Sequence, residues 1–478
     1  MRLPAALAGS FLVITVAAVS APAAAGRSPG PGCVPARPGV VYTSAGTIAT
    51  PVSARPVPCL ITIPRSSQAK ETQVAVTKAG TIVYQADLTM VDGQSAQPMQ
   101  VAVSADRGKT WRATGQEIAN GGIKNAGIDN HVYRDPATDR VFWIVYGVAS
   151  NAPQPTLGTS SDGGRSWKLG AMPCCSDAEN PHLLAARPRG SVTKGYPNVL
   201  YWCTNTSVVG GVVFPFGVRM CFTSHDGAAT WDTGRILLNK PVASFPECIG
   251  RGELFDALDA YYPTADASGR LYMIVRCGPT DEYVSGPPTA NPAFIVTSDD
   301  EMATWTKVAD APALPAGYGS PAGVAYKEEM RADRDGNLYL VRGTGTPTGT
   351  LHLWVSKDGG RHWSTDRTIS LPGTHSVDAP LWQIAVGEPG HLVVDYAGTQ
   401  GSSPNLNAYL IDTTTALSAD PVFRGAVLND PRGKVHLVNQ LAAYDYTDVE
   451  IGPDGLARAA FPFGLVGSLA NLPGGRQP

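Results

Sequence analysis

The sequence is poor in charge, in helix-period pattern and in long apolar runs, and each shortage removes a class of answer. Charged residues make up 16% of the chain, with 37 basic side chains against 40 acidic ones and a net charge of −3. That balance provides no single-sign field to hold nucleic acid or an anionic membrane, so a neutral or locally charged ligand fits better. Past the opening residues no apolar stretch is long enough to cross a bilayer as a helix. The 8 cysteines and 8 histidines stand at no spacing that a zinc site uses. What is abundant is glycine and proline, 52 and 40 residues, which punctuate short strands with turns.

The opening Met1-Arg-Leu-Pro-Ala-Ala-Leu-Ala-Gly-Ser-Phe-Leu-Val-Ile-Thr-Val carries one positive charge and a short apolar run, and Ala23-Ala-Ala25 follows. This reads as a secretory signal peptide over 1–25, so the expectation is an extracellular, monomeric protein. All of Cys33, Cys59, Cys174, Cys175, Cys203, Cys221, Cys248 and Cys277 lie beyond it. An even number in an exported chain predicts disulfides. The expected pairs are Cys33 with Cys59, Cys203 with Cys221 across neighbouring strands, and Cys248 with Cys277. Cys174 and Cys175 either bond each other or go to separate partners.

One short pattern recurs five times: Ser104-Ala-Asp106-Arg-Gly108-Lys-Thr-Trp111, Ser160-Ser-Asp162-Gly-Gly164-Arg-Ser-Trp167, Ser224-His-Asp226-Gly-Ala228-Ala-Thr-Trp231, Ser298-Asp-Asp300-Glu-Met302-Ala-Thr-Trp305 and Ser356-Lys-Asp358-Gly-Gly360-Arg-His-Trp363. The tryptophans are spaced 56, 64, 74 and 58 residues apart, which signals a repeat architecture. Within each copy Asp bonds backbone N–H groups ahead of it, Gly accepts a positive φ, and Trp anchors the next strand. An alternating strand such as Met99-Gln-Val-Ala-Val103 or Leu351-His-Leu-Trp-Val355 precedes the turn. On these five copies the chain resembles the Asp-box (BNR-repeat) family of sialidase-like β-propellers, over roughly residues 70–465.

The resemblance implies an all-β fold, a single propeller of four-stranded antiparallel blades. Seven pairs of apolar strands suit the inner half of a blade. They begin at Thr72, His131, His182, Tyr261, Met330, Leu381 and Val449, each followed by a second strand that starts at Thr81, Val141, Val199, Leu271, Leu338, Leu392 or Ala457. Seven blades are therefore expected, with six, the number in the family's sialidases, as the fallback. Residues 26–69 form an N-terminal segment that helps to close the ring, 70–465 the propeller and 466–478 a tail. Pairing of Gly39–Ile63 with the C-terminal end would remove both sheet edges.

In a propeller the residues before each inner strand and after the second share a face. An acidic residue precedes every inner strand: Glu71, Asp129, Glu179, Asp259, Glu328 or Glu329, Asp378, and Asp445 or Asp448. A single one is a loop cap. A ring of them provides acid/base groups, sugar-hydroxyl acceptors or ligands for a Ca²⁺ ion, although no cofactor is required. Second strands end at Asp87, Tyr146, Asn205, Arg276, Arg342, and Asp395 with Tyr396. Arg276 and Arg342 belong to consecutive blades and suit a bidentate carboxylate clamp.

The family's sialidases use three arginines for the sugar carboxylate, a Tyr–Glu nucleophile pair and an Asp acid/base. The Arg-Ile-Pro signature of the first arginine is absent, and Ile63-Pro64-Arg65 has the order reversed. Matching residues give Arg276 and Arg342 as clamps, with Arg331 or Arg134 as a third. Asp129 or Asp259 would be the acid/base, and Tyr396 or Tyr446 with Glu328 the nucleophile pair, with Tyr146 a further candidate. Glu71, Glu179, Asp378, Asp445 and Tyr146 would line the substrate site. The five Asp-box aspartates are structural in the family. Three readings follow: a sialidase-like glycoside hydrolase acting on terminal sugars; a non-catalytic propeller that binds glycan or protein; and a polysaccharide lyase, which needs a Tyr or His base beside a charge neutraliser.

Overall fold

The computed structural model describes residues 28–29, 34–35, 38–52, 55–64, 69–88, 101–115, 131–145, 155–175, 179–209, 212–236, 254–255, 262–277, 293–313, 328–343, 349–376, 382–401, 403, 405–429 and 447–470. Every regular element among them is a strand, and the strands fall into seven antiparallel sheets. Each sheet opens on an inner strand: Ala69–Val76, His131–Arg134, Glu179–Ala186, Thr264–Ala265, Glu328–Ala332, Trp382–Val386 and Asp448–Ile451. Each inner strand pairs with the strand after it in the sequence. The fourth lies a few residues beyond Tyr261, where the sequence pattern put it.

The sheets form a ring. Inner strands of neighbouring sheets touch from the first to the third, from the fourth to the seventh, and again from the seventh to the first. The third and fourth share one apolar core, in which Val199 and Tyr201 pack with Met273 and Ile295. Terminal segments serve two sheets. Val57–Thr62 lies in register along Leu465–Ala470 in the seventh. Val40–Thr43 extends the sixth instead, against Phe423–Val427. The stretch expected to act as one unit is thus divided between two sheets, and where it enters the sixth, Gly39 packs so close to the Gly425 carbonyl that no Cβ would fit.

An inner strand has one ladder edge and one open edge, and its open N–H groups need acceptors. Side chains of the preceding sheet supply them. Gln73 Oε1 accepts from Val132 N at 2.7 Å, Tyr133 OH from Ala185 N at 2.9 Å, and Thr264 Oγ1 from Ala332 N at 2.9 Å. Glu329 Oε2 accepts from Ile384 N at 3.2 Å. Across the junction of the last and first sheets, Asp448 Oδ2 takes Val74 N at 2.9 Å and Glu450 Oε2 takes Val76 N at 2.5 Å.

The five repeats have one geometry. In the second sheet Ser160 Oγ accepts from Gly164 N at 2.8 Å, and Asp162 bonds Ser166 through N–H at 3.0 Å and hydroxyl at 2.6 Å. The same bonds recur at Asp106, Asp226 and Asp300 with threonine, and at Asp358 the His362 N–H and imidazole Nδ1 take the two places. Partial burial works against ionisation of these carboxyls, but their hydrogen bonds outweigh it and hold all five below the ordinary value, Asp358 at about 2. The boxes join the third and fourth strands of their sheets, away from the inner strands. Gly164, at φ 80°, rests on Val83 and Val103 of the preceding sheet, where a Cβ would approach to 3.1 Å. Trp167 fills the same junction, edge-on to Trp143 at 5.6 Å.

Cys203 and Cys221 are bonded across facing strands, as expected, and Cys174 bonds Cys175. Cys59 is disulfide-bonded. Cys33, Cys248 and the Cys277 side chain lie outside the described residues. Replacing Trp167 with Ala leaves a cavity between two sheets and should cost about 3–5 kcal/mol. Thermal or urea unfolding measures it, and an unchanged midpoint would contradict the role given to the repeats.

Candidate functional site

Where the inner strands converge they enclose a cavity of ≈ 1020 Å³. Its wall repeats with the sheets. In five inner strands the residue three positions before the end is polar and lines the cavity: Gln73, His131, Glu329, Gln383 and Asp448. His182 and Tyr262 complete the ring from the third and fourth sheets. One turn of the pleat further along stand Tyr133, Thr264, Arg331 and Glu450.

One side of this ring is aromatic and cationic. His131 and His182 have ring centroids 5.5 Å apart, and His182 stacks on Tyr262 at 4.3 Å and 18°. The Arg219 guanidinium lies 4.3 Å from the Tyr262 centroid. Burial first, then the charge of Arg331, lowers the His131 pKa to about 3. His182 is held well below its ordinary value by burial, by Arg331 and His131, and by Arg219. Both imidazoles are neutral near pH 7. His131 Nε2 is buried with no hydrogen-bond partner.

The rest of the ring is acidic, and Arg331 adjoins both parts. Glu329 pairs with Arg331 at 2.5 Å, and Glu450 with Arg134 at 2.7 Å. Burial, with Glu450 and Glu329 nearby, raises Asp448 from 3.8 to about 7. Burial also raises Glu450, against the pull of Arg134. Asp448 is therefore a carboxylic acid able to hold or release its proton near neutrality. Among the described residues no cluster of His, Cys, Asp and Glu has a metal-binding arrangement.

The residues expected from the sequence are placed unevenly. Arg331 lines the cavity, as do Glu329, Asp448 and Arg134, each the second-named of two alternatives. Arg342 does not: it is fully buried, 2.9 Å from the equally buried Glu328, with its guanidinium also bonded to the Pro312 carbonyl. The strand alternates, so Glu329 and Arg331 face the cavity while Glu328 and Met330 face the packing between sheets. This corrects both Arg342 as an anion clamp and Glu328 as a nucleophile's partner. Tyr396 is also withdrawn. It is stacked on Tyr409 at 4.8 Å, its hydroxyl bonds Thr374 Oγ1 at 2.6 Å and Leu371 N at 3.1 Å, and burial raises its pKa. Glu71 is buried at φ 49° where the first inner strand breaks register, off the cavity wall. Asp129, Tyr146, Asp259, Asp378, Asp445 and Tyr446 lie outside the described residues, as do the side chains of Glu179 and Arg276.

His131 and His182 were legible only as strand residues. The available signal for His131 was register: counting back from the end of each inner strand aligns it with Glu329 and Asp448, whereas His182 stands one residue further back in its strand.

No family model and no curated protein matches the chain. Among solved structures it is similar to the intramolecular trans-sialidase from Ruminococcus gnavus, at 15% identity and TM-score 0.39, covering 86% of this chain and 96% of that one. It is similar to the PL25 ulvan lyase at 12% identity and TM-score 0.44, with 80% and 95% covered. The Penicillium chrysogenum α-L-arabinanase matches at 13% identity and TM-score 0.43, with 83% and 99% covered. Likeness at this level does not decide a reaction.

Asp448 gives the site a pH signature. Between 3.8 and about 7 the folded chain keeps this proton while the unfolded chain has released it. Stability therefore falls as pH rises through that window. Asp448→Asn keeps an acceptor for Val74 N and cannot ionise. The melting temperature of the variant relative to wild type should rise from pH 4 to about pH 7 and then level off; a difference constant with pH would contradict the assignment.

Proposed function

We propose that the chain is an exported glycan-acting β-propeller whose cavity cleaves uronic-acid polysaccharides by β-elimination. The observation that carries this reading is the group His131, His182, Tyr262 and Arg331 on one cavity wall, with both imidazoles uncharged. Elimination needs a neutral base beside a cation that pairs with the uronate carboxylate. Arg331 supplies the cation. A bound carboxylate offsets the charge that depresses the two imidazoles, so the base strengthens when substrate is in place.

In this step a histidine nitrogen, assigned to His182, takes the proton at C5. The C5–H electron pair forms the C4=C5 bond, the C4–O bond breaks, and the departing oxygen takes a proton from Tyr262 or Asp448. Water is not consumed, and the product carries an unsaturated uronate at its new non-reducing end. Gln73, Gln383 and Glu329 serve as partners for sugar hydroxyls.

Hydrolysis is the second reading, and Asp448 favours it. A carboxyl that titrates near 7, on the same ring as a carboxylate held by Arg331, matches the acid and base that glycoside hydrolysis needs. A sialidase-type version needs an arginine cluster and an available Tyr–Glu pair, and neither Arg342 nor Tyr396 is available for it.

A panel of acidic and neutral polysaccharides, followed by the ultraviolet absorbance of unsaturated uronate, tests the proposal. Arg331→Ala should lower turnover of an acidic polymer by about one to two orders of magnitude, and His182→Asn should abolish it with folding intact. Unchanged turnover of the acidic polymer in Arg331→Ala, or full activity in His182→Asn, would overturn the reading.

A further inference from the structure

Tyr262 has two flat faces, and both are in use. His182 stacks at 4.3 Å and 18°, which occupies one face. The Arg219 guanidinium also stands 4.3 Å from the ring centroid, and two groups at that height cannot share a face. Arg219 therefore caps the far side. Both faces of Tyr262 are thus closed to a sugar ring.

The third sheet fixes this arrangement. His182 on the inner strand is in register with Cys203, and Cys203 is in register with and bonded to Cys221. Arg219 lies two residues from Cys221 on the same strand and is 4% exposed. His182 and Arg219 thus come from one cross-linked sheet and hold between them a tyrosine of the next.

We propose that Arg219 is a positioning residue for the cavity: from behind Tyr262 it fixes the orientation of that ring and, through the stack, of His182. The inference rests on the reading of His182 as the base. Four groups face the imidazole: Tyr262, His131, Arg331 with its Glu329 partner, and Arg219 through the ring. Arg331 acts on the ligand side and would be neutralised by a bound carboxylate. Arg219 is screened from ligand by Tyr262, so its effect persists when substrate is bound.

The test is the imidazole Cε1–H resonance of His182, assigned by its loss in His182→Asn and followed with pH in wild type, Arg219→Met and Arg219→Lys. In Arg219→Met both the planar cap and the charge are lost: the ring-current shift from Tyr262 should change, and the His182 midpoint should move upward. In Arg219→Lys the charge remains and the planar cap is lost. The midpoint should stay near that of wild type, the ring-current shift from Tyr262 should change, and kcat on an acidic polymer should fall several-fold with KM little altered. If Arg219→Met does not fold, Arg219→Lys decides alone: an unchanged shift and unchanged kcat would overturn the proposal. Superimposable titrations in all three folded proteins would overturn it as well. A His182 shift that moves as expected in a protein with no elimination activity would support the positioning role and count against the reaction.

Discussion

The open edge of the inner strand governs this molecule. Seven such edges meet around one axis, and each carries N–H groups that no ladder satisfies. An unpaired buried donor costs on the order of 1–3 kcal/mol, so the positions beside these edges hold acceptors. Gln73, Tyr133, Thr264, Glu329, Asp448 and Glu450 each take an N–H from the next sheet. Because the edges face the axis, these acceptors also line the cavity. Ring assembly and a polar central site are consequences of one requirement.

That double role explains the electrostatics. A carboxylate fixed by one backbone N–H is desolvated by the same geometry, and Asp448 pays for its place with a pKa near 7. Glu329 and Glu450 are buried with it and are offset by Arg331 and Arg134. Burial first, and then the charge of the same Arg331, keeps His131 and His182 uncharged. The cavity therefore places uncharged bases and a proton-bearing acid around one space.

Much of the fold was legible because its signals are local. The Asp boxes encode their own hydrogen bonds, and the spacing of Trp111, Trp167, Trp231, Trp305 and Trp363 encodes the repeat. Seven inner strand pairs were found by alternation, with only the fourth displaced. The site was less legible because facing is set by pleat parity. A one-residue difference separates Glu328, buried against Arg342, from Glu329 in the cavity, and acidic residues occur at both positions. Arg342 and Tyr396 sit at the chain positions a sheet end would give a ligand contact, yet both pack between sheets. Only the paired register shows which way they turn. His131 and His182 passed as strand residues because a histidine pattern spread over two sheets has no local spacing.

The chemistry proposed for this cavity is removal of a proton from carbon and cleavage of a glycosidic bond without water. Proton NMR of a digest of a uronic-acid polysaccharide tests it most directly. A vinylic H4 signal that grows in step with new reducing ends is expected. New reducing ends without a vinylic signal would mean hydrolysis and would contradict it.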